Sequence, residues 1–437
     1  MLLLLALPAT MWAQEEKFSY GRPAYWRPYD KTGINVFETT KENLTPYDGM
    51  RIRLGAGFTQ QFQNLKHEND GATNYETSNR LYPLAPGFMT AQANLNIDVQ
   101  LAEGIRLNVT TYLSSRHHNE AWVKGGYIQF DKLPFKGKIW DDIMKVTTIK
   151  VGHMEVNYGD AHFRRSDGGQ TLYNPFMESY IMDGYATEIG GEVYVQKNGL
   201  FGMVGVTNGM IKGNVDSAVK SAVDDNVKRK PSLILKGGID KKIGDALRVR
   251  LSGSFYHNNN SAASGLTLYG GDRSGSNYQN VMEVAPAGAA LPASTAIAFS
   301  GRLNPGFSKK VDAYMINGFL KVQGLELFGT YENAQGRSKN ETSLRLMQQY
   351  AGDVVYRFCH DENLFVGVRY NRAFGRLAGF ANDIDVDRWA GAAGWFITKN
   401  VLLKGEYVIQ KYNKFPVGDY RSSGKFNGYV IEAVVGF

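Results

Sequence analysis

The segment Glu155–Tyr185 (EVNYGDAHFRRSDGGQTLYNPFMESYIMDGY) sets Arg164 and Arg165 beside Asp160, Asp167, Glu178 and Asp183. Guanidinium and carboxylate groups facing each other across a narrow opening impose a transverse field, which sorts solutes by size and charge. Asp160, Arg164, Arg165 and Asp167 are the candidates for such a constriction, with Gly168–Gly169 as a hinge. An ordinary solvated surface loop would carry the same residues.

Other chemistries find little support. The seven histidines are scattered. His117 and His118 are adjacent and point apart in extended chain, while His153 and His162 lack the spacing of a helical zinc motif. Cys359 is the only cysteine, so an internal disulfide and Cys-based metal sites are excluded. Neither a nucleophile elbow nor a phosphate-cradling glycine loop is present. The net charge of +7 and pI of about 9.1 come from Lys and Arg dispersed singly. That pattern suits an anion-tolerant interior better than a nucleic-acid platform. No cofactor and no catalytic residue is expected.

The elements that must position the charged segment alternate with period two. At the C-terminus (KFNGYVIEAVVGF), Tyr429, Ile431, Ala433 and Val435 interleave with Gly428, Val430, Glu432, Val434 and Gly436. The same alternation occurs in Met50–Gln63, 94–101, 105–111, Trp122–Phe130, Val146–Met154, Glu192–Gln196, Leu200–Thr207, Leu233–Asp240 and Leu247–Tyr256. It continues in Tyr314–Val322, Leu325–Glu332, Leu346–Phe358, Leu364–Asn371, Trp389–Ile397 and Val401–Gln410. The connections alternate too. Tight turns, with Asp131–Lys145 as the exception, face long polar loops at 64–86, 155–185, 208–230, 258–310 and 333–345. The predicted fold is all-β: a transmembrane antiparallel β-barrel of about 16 strands with long extracellular loops and short periplasmic turns. The 25 Tyr, 23 Phe and 49 Gly suit the aromatic girdles and tightly coiled strands of such a barrel.

The apolar series then faces outer-membrane lipid and the other series faces the lumen. Among the inward charges, Arg51, Arg53, Arg248, Arg250 and Arg369 are candidate wall residues. Arg106, Lys150, Lys236, Lys321, Arg357 and Lys404 join them, opposed by Asp98, Glu192, Asp240, Glu326, Asp353, Glu406 and Glu432. So many charges imply a wet interior unless they pair off completely. A charge placed at Val366 or Ile409 is expected to impair assembly. The same change at Gly367 or Gln410 is expected mostly to alter ion flow. Residues 1–13 read as an export signal cleaved after Ala13, 14–49 as an N-terminal arm, periplasmic or tucked into the barrel mouth, and 50–437 as the barrel.

As architecture, the mature chain resembles outer-membrane porins of the phosphate-selective porin O/P type, in their divergent Bacteroidota-like form. Locally, Ile149–Met154 (IKVGHM) is similar to that family's strand leading into the constriction loop, with His153 where an aromatic or Gln is usual. Phosphate-selective members carry a ladder of arginines at the constriction; here Arg164 and Arg165 are the matching positions, accompanied by acids. The resemblance implies passive diffusion of small hydrophilic solutes or anions, phosphate among them, through a monomer or homotrimer. A non-conducting barrel serving as a subunit of a secretion or surface-lipoprotein complex is the alternative. Its mark would be an arm or long loop plugging the lumen, and Asn258–Lys310 is long enough.

Overall fold

The structure is a computed structural model that describes residues 18–20, 26–39, 41, 47–70, 81–89, 91–113, 122–167, 170–210, 220–224, 228–259, 266–270, 275–284 and 300–437. The export segment, His117–His118 and Gly168–Gly169 lie outside the described residues, as does part of the arm.

Period-two stretches become sixteen long strands: β1 (Met50–Glu68), β2 (Gln92–Ala102), β3 (Ile105–Leu113), β4 (Trp122–Phe130), β5 (Thr147–Glu155), β6 (Thr187–Lys197), β7 (Leu200–Thr207) and β8 (Ser232–Ile243). The second half is β9 (Leu247–Asn259), β10 (Lys310–Val322), β11 (Leu325–Arg337), β12 (Arg345–Phe358), β13 (Leu364–Gly375), β14 (Ile384–Thr398), β15 (Val401–Asn413) and β16 (Lys425–Gly436). Each pairs antiparallel with its sequence neighbours, and β16 pairs with β1 to close the barrel, from Lys425↔Glu68 to Gly436↔Gly57. Closure satisfies every strand edge, the condition for crossing lipid with strands. The terminal Phe437 completes the seam: its N–H donates to Ala56 O at 3.0 Å, and Ala56 N–H donates to Phe437 O at 2.9 Å.

Side-chain parity follows the alternation. Leu54, Phe58, Val366, Val368, Leu403, Ile409 and Ile431 face outward and are exposed, whereas Gln410, Val430 and Glu432 are fully buried inside. Trp389, Tyr407 and Tyr429 stand toward the long-loop rim, and Tyr356, Phe358 and Trp395 toward the tight-turn rim, as girdles at two membrane interfaces require. One connection departs from a simple turn: between β4 and β5 the chain forms a seven-residue helix, α1 (Lys138–Met144), which the sequence reading did not anticipate.

The expectation of a wet interior is corrected over the β8–β16 side. The described residues of loop 3 (156–186), of loop 5 (260–309; described at 266–270, 275–284 and 300–309) and of the arm at 26–39 turn inward, and many of them are buried. Tyr158, Met177, Ile181 and Met182 from loop 3 pack with Leu268, Tyr278, Val281 and Leu303 from loop 5 and with Ile234, Tyr256, Met347 and Val386 from the wall, while Phe176 packs separately with Val355, Phe365 and Phe396.

Candidate functional site

A loop whose regular structure, among its described residues, is limited to two short 3-10 turns, Ala161–Arg164 and Thr171–Tyr173, buries peptide groups that need partners. Loop 3 finds them in the inward-pointing polar side chains of the wall. Met177 N–H donates to Glu406 at 2.8 Å, Ile181 N–H to Asn371 at 2.6 Å, and Met182 N–H to Gln349 at 2.8 Å. Lys404 donates to the carbonyls of Thr171, Asn174 and Phe176 at 2.9–3.0 Å. Arg369 and Arg388 donate to the carbonyls of Glu178 and Ser179 at 2.9 and 2.7 Å. The turn into the lumen depends on Gly159, at φ +71°, where an added Cβ would stand 2.1 Å from Met315 Sδ.

Loop 5 is fastened onto loop 3. Glu178 accepts from Arg302 Nε and Nη2 at 2.9 and 2.6 Å, from Ser276 Oγ at 2.7 Å and from Asn277 N–H at 2.5 Å. Burial alone would raise the Glu178 carboxyl; Arg302 and Arg388 overcome it and hold the group below its ordinary value. Leu303 N–H donates to Ile181 O at 2.7 Å, joining the two backbones.

The arm enters from the tight-turn side, so of its two expected positions the described residues occupy the barrel mouth. Phe37 packs edge-on to Phe163 and Phe319, with the Arg250 guanidinium 4.3 Å from its ring. Glu38 pairs with Lys236 at 2.9 Å and Arg250 at 2.6 Å. Tyr29 lies against Gly55, where a Cβ would meet its ring at 2.2 Å.

The sequence-selected residues divide between two places. Asp160 is fully buried and paired with Arg250 at 2.7 Å and Lys236 at 2.8 Å. Burial opposes its ionisation, but those two cations hold its carboxyl well below the usual range. Arg164 is buried between Asn35, Glu326 and the rings of Phe319 and Phe328. Arg165 and Asp167 border the remaining opening: Arg165 pairs with Asp183 at 2.5 Å and stacks 3.8 Å over Tyr185, and Asp167 pairs with Lys124. None of the five wall arginines lines that opening. Arg51 pairs with Asp48 near the start of β1, Arg53 stacks on Tyr29, and Arg248 pairs with Asp240 at 2.7 Å. Arg250 and Arg369, the latter 2.7 Å from Asp353, fasten the infolded segments.

The opening itself is a cavity of about 280 Å³ along β2–β6, bounded by loop 3 and the arm. Its walls are aromatic and polar: Trp26, Tyr127, Tyr173 and Tyr194 beside Asn94, Asn108, Gln129 and Gln196. The carboxylates around it are engaged, Glu155 by His162, Asp167 by Lys124, and Glu38 by Lys236 and Arg250. Lys150 differs. Its ammonium rests 5.4 and 4.9 Å from the ring centroids of Tyr127 and Tyr194 and makes no ion pair or hydrogen bond among the described residues. Sequence reasoning placed Lys150 on the lumen side without singling it out. It missed the contribution of Trp26 and Glu38, whose signal is the aromatic density of a segment lacking strand periodicity. Among the described residues no His, Cys, Asp or Glu cluster suits a metal ion.

No family model matches the sequence, and no curated protein is significantly similar to it. Solved structures do resemble the fold. The outer membrane channel DcaP of Acinetobacter baumannii is 10% identical over 90% of this chain and 99% of its own, with a TM-score of 0.50. OmpT of Vibrio cholerae in a trimer form is 10% identical over 89% and 100%, at 0.49, and OccK2 (OpdF) of Pseudomonas aeruginosa 11% over 88% and 98%, at 0.41. The chain has a closed antiparallel β-barrel, the fold of Gram-negative outer-membrane proteins.

Proposed function

We propose that this barrel is an outer-membrane porin that passes small hydrophilic solutes through the cavity along β2–β6, with a mild preference for anions. The observation that carries the reading is loop 3 itself, folded into the lumen and leaving beside it a polar, aromatic-walled opening. Arg165, Asp167 and Lys124 form the mixed-charge constriction, and Asp160 and Arg164 hold the loop that presents it. Lys150 supplies the anion preference: it faces the cavity with aromatic rings rather than carboxylates within contact. The kinship to porins of the O/P type belongs to the same proposal and rests on Ile149–Met154 and the infolded third loop. Passive diffusion requires no catalytic group. Single-channel recording in a planar bilayer tests the proposal: it requires a stable open conductance with an anion-shifted reversal potential under a KCl gradient.

The second reading, a non-conducting barrel serving as a structural subunit, is favoured by a different observation: described residues of the arm and of loop 5, among them Phe37, Tyr278 and Leu303, are packed into the barrel interior. A folded barrel that stays electrically silent supports that reading and contradicts the porin.

A further inference from the structure

The β4–β5 connection carries apolar side chains that the barrel does not cover. Phe135, Ile139, Trp140 and Ile143 are 57, 74, 42 and 44% exposed, while Met144 turns inward and is buried. Ile139 and Ile143, four apart on α1, share one face, and the Phe135 ring lies 5.4 Å from Trp140. The segment is fixed to the wall, because the Lys41 ammonium donates to the carbonyls of Asp131, Met144 and Thr147. A groove lined by Ala102, Ile105, Leu133 and Phe135 joins the segment to the β2–β3 turn. There it is continuous with the outward apolar belt at Leu101, Ile128 and Val151. Its charges are mixed, with a small basic excess. Asp131 turns inward to Arg106 at 2.7 Å, Asp142 pairs with Lys145 at 2.6 Å and Asp141 lies on α1 beside the groove, whereas Lys136 and Lys138 make no ion pair among the described residues.

An apolar patch of this kind is costly in water and marks a surface that something covers. We propose that residues 131–146 form an interfacial anchor in the periplasmic leaflet of the membrane. Phe135, Ile139, Trp140 and Ile143 enter the headgroup–acyl boundary, and Lys136 and Lys138 lie at the phosphates of anionic phospholipid. Continuity with the lipid-facing belt selects lipid as the occupant. A Trp beside aliphatic residues and lysines that reach back to headgroups is the composition that boundary favours.

The test places a spin label in the full chain after Cys359→Ser removes the single cysteine. Ile139→Cys and Ile143→Cys are labelled separately and reconstituted in phosphatidylethanolamine/phosphatidylglycerol liposomes. Asp245→Cys, in the β8–β9 turn, is the aqueous reference. Power saturation with oxygen and with a water-soluble nickel chelate should move both α1 labels to the lipid side of the depth scale, away from Asp245→Cys. Labels that relax like the reference would overturn the proposal and leave the patch to a periplasmic protein. Trp140→Phe provides a measurement without the label: the fluorescence it removes, taken as the difference from the unsubstituted protein, should itself be quenched by lipids brominated on the acyl chain, in addition to the quenching of lipid-facing Trp389 and Trp395. An unquenched difference spectrum contradicts the anchor even if the cysteine variants fold poorly.

Discussion

Replacing Glu178 by Ala should release loop 5 from the lumen without dissolving the barrel. The carboxylate receives four hydrogen bonds from Arg302, Ser276 and Asn277, all within the infolded segments. Its removal takes from the buried Arg302 guanidinium its 2.6 and 2.9 Å carboxylate contacts, while the longer contacts to Asp183 at 3.3 Å and to the Gly275 carbonyl at 3.2 Å remain. Breaking a buried pair by deleting one partner costs about 3–5 kcal/mol. At ~1.4 kcal/mol per decade, the ratio of seated to released loop falls by roughly two to three and a half orders of magnitude. The strand ladder is untouched, since Glu178 lies outside the sixteen strands. Single-channel conductance of Glu178→Ala should therefore rise, and limited proteolysis should cut within 260–309, while heat-modifiable gel mobility remains that of a folded barrel. A variant with unchanged conductance and a protected loop would refute the assignment of Glu178 as the joint between the two loops.

Three further outcomes follow from the same geometry. Lys150→Glu should shift the reversal potential under a KCl gradient toward cation preference, because it replaces the cavity's carboxylate-free ammonium with a carboxylate. Glu283 in loop 5 gives a pH dependence: burial pushes its carboxyl from 4.5 up to about 7, against the Ser300 hydroxyl and Arg421. The seated form holds the proton more tightly, so seating is strongest below pH 4.5 and weakens as pH rises toward 7, by on the order of 3 kcal/mol in all. Loop 5 should be cleaved faster at pH 8 than at pH 5, and Glu283→Gln should flatten that difference. Val366→Lys, pointing into lipid, should lower folding yield on heat-modifiability gels by an effect of about 2–4 kcal/mol.

Parity was legible in the sequence because a strand writes its two faces into alternate residues. Val366, Ile409 and the Tyr429–Val435 series needed no tertiary information, and neither did the place of 155–185 among the long connections. The interior was not legible in the same way. Inward Arg369, Arg388, Lys404, Asn371 and Gln349 look alike in sequence whether they meet water or the backbone of an infolded loop, since either satisfies a polar group. Gly367 shows the consequence. It faces inward as expected, yet a Cβ there would meet Phe176 at 3.3 Å, so a charge at this position disturbs loop 3 as well as ion flow. The arm and loop 5 carry no strand period, and nothing local distinguishes a polar segment outside the barrel from one folded into it. α1 is too short for a periodic signal.

The most direct test of the central claim is single-channel conductance of the purified, folded protein in a planar bilayer, with the reversal potential measured under a KCl gradient. The cavity beside loop 3 predicts a small, stable conductance with an anion-shifted reversal that Lys150→Glu moves toward cations. A correctly folded barrel that conducts nothing would contradict the channel and identify the infolded arm and loops as a permanent plug.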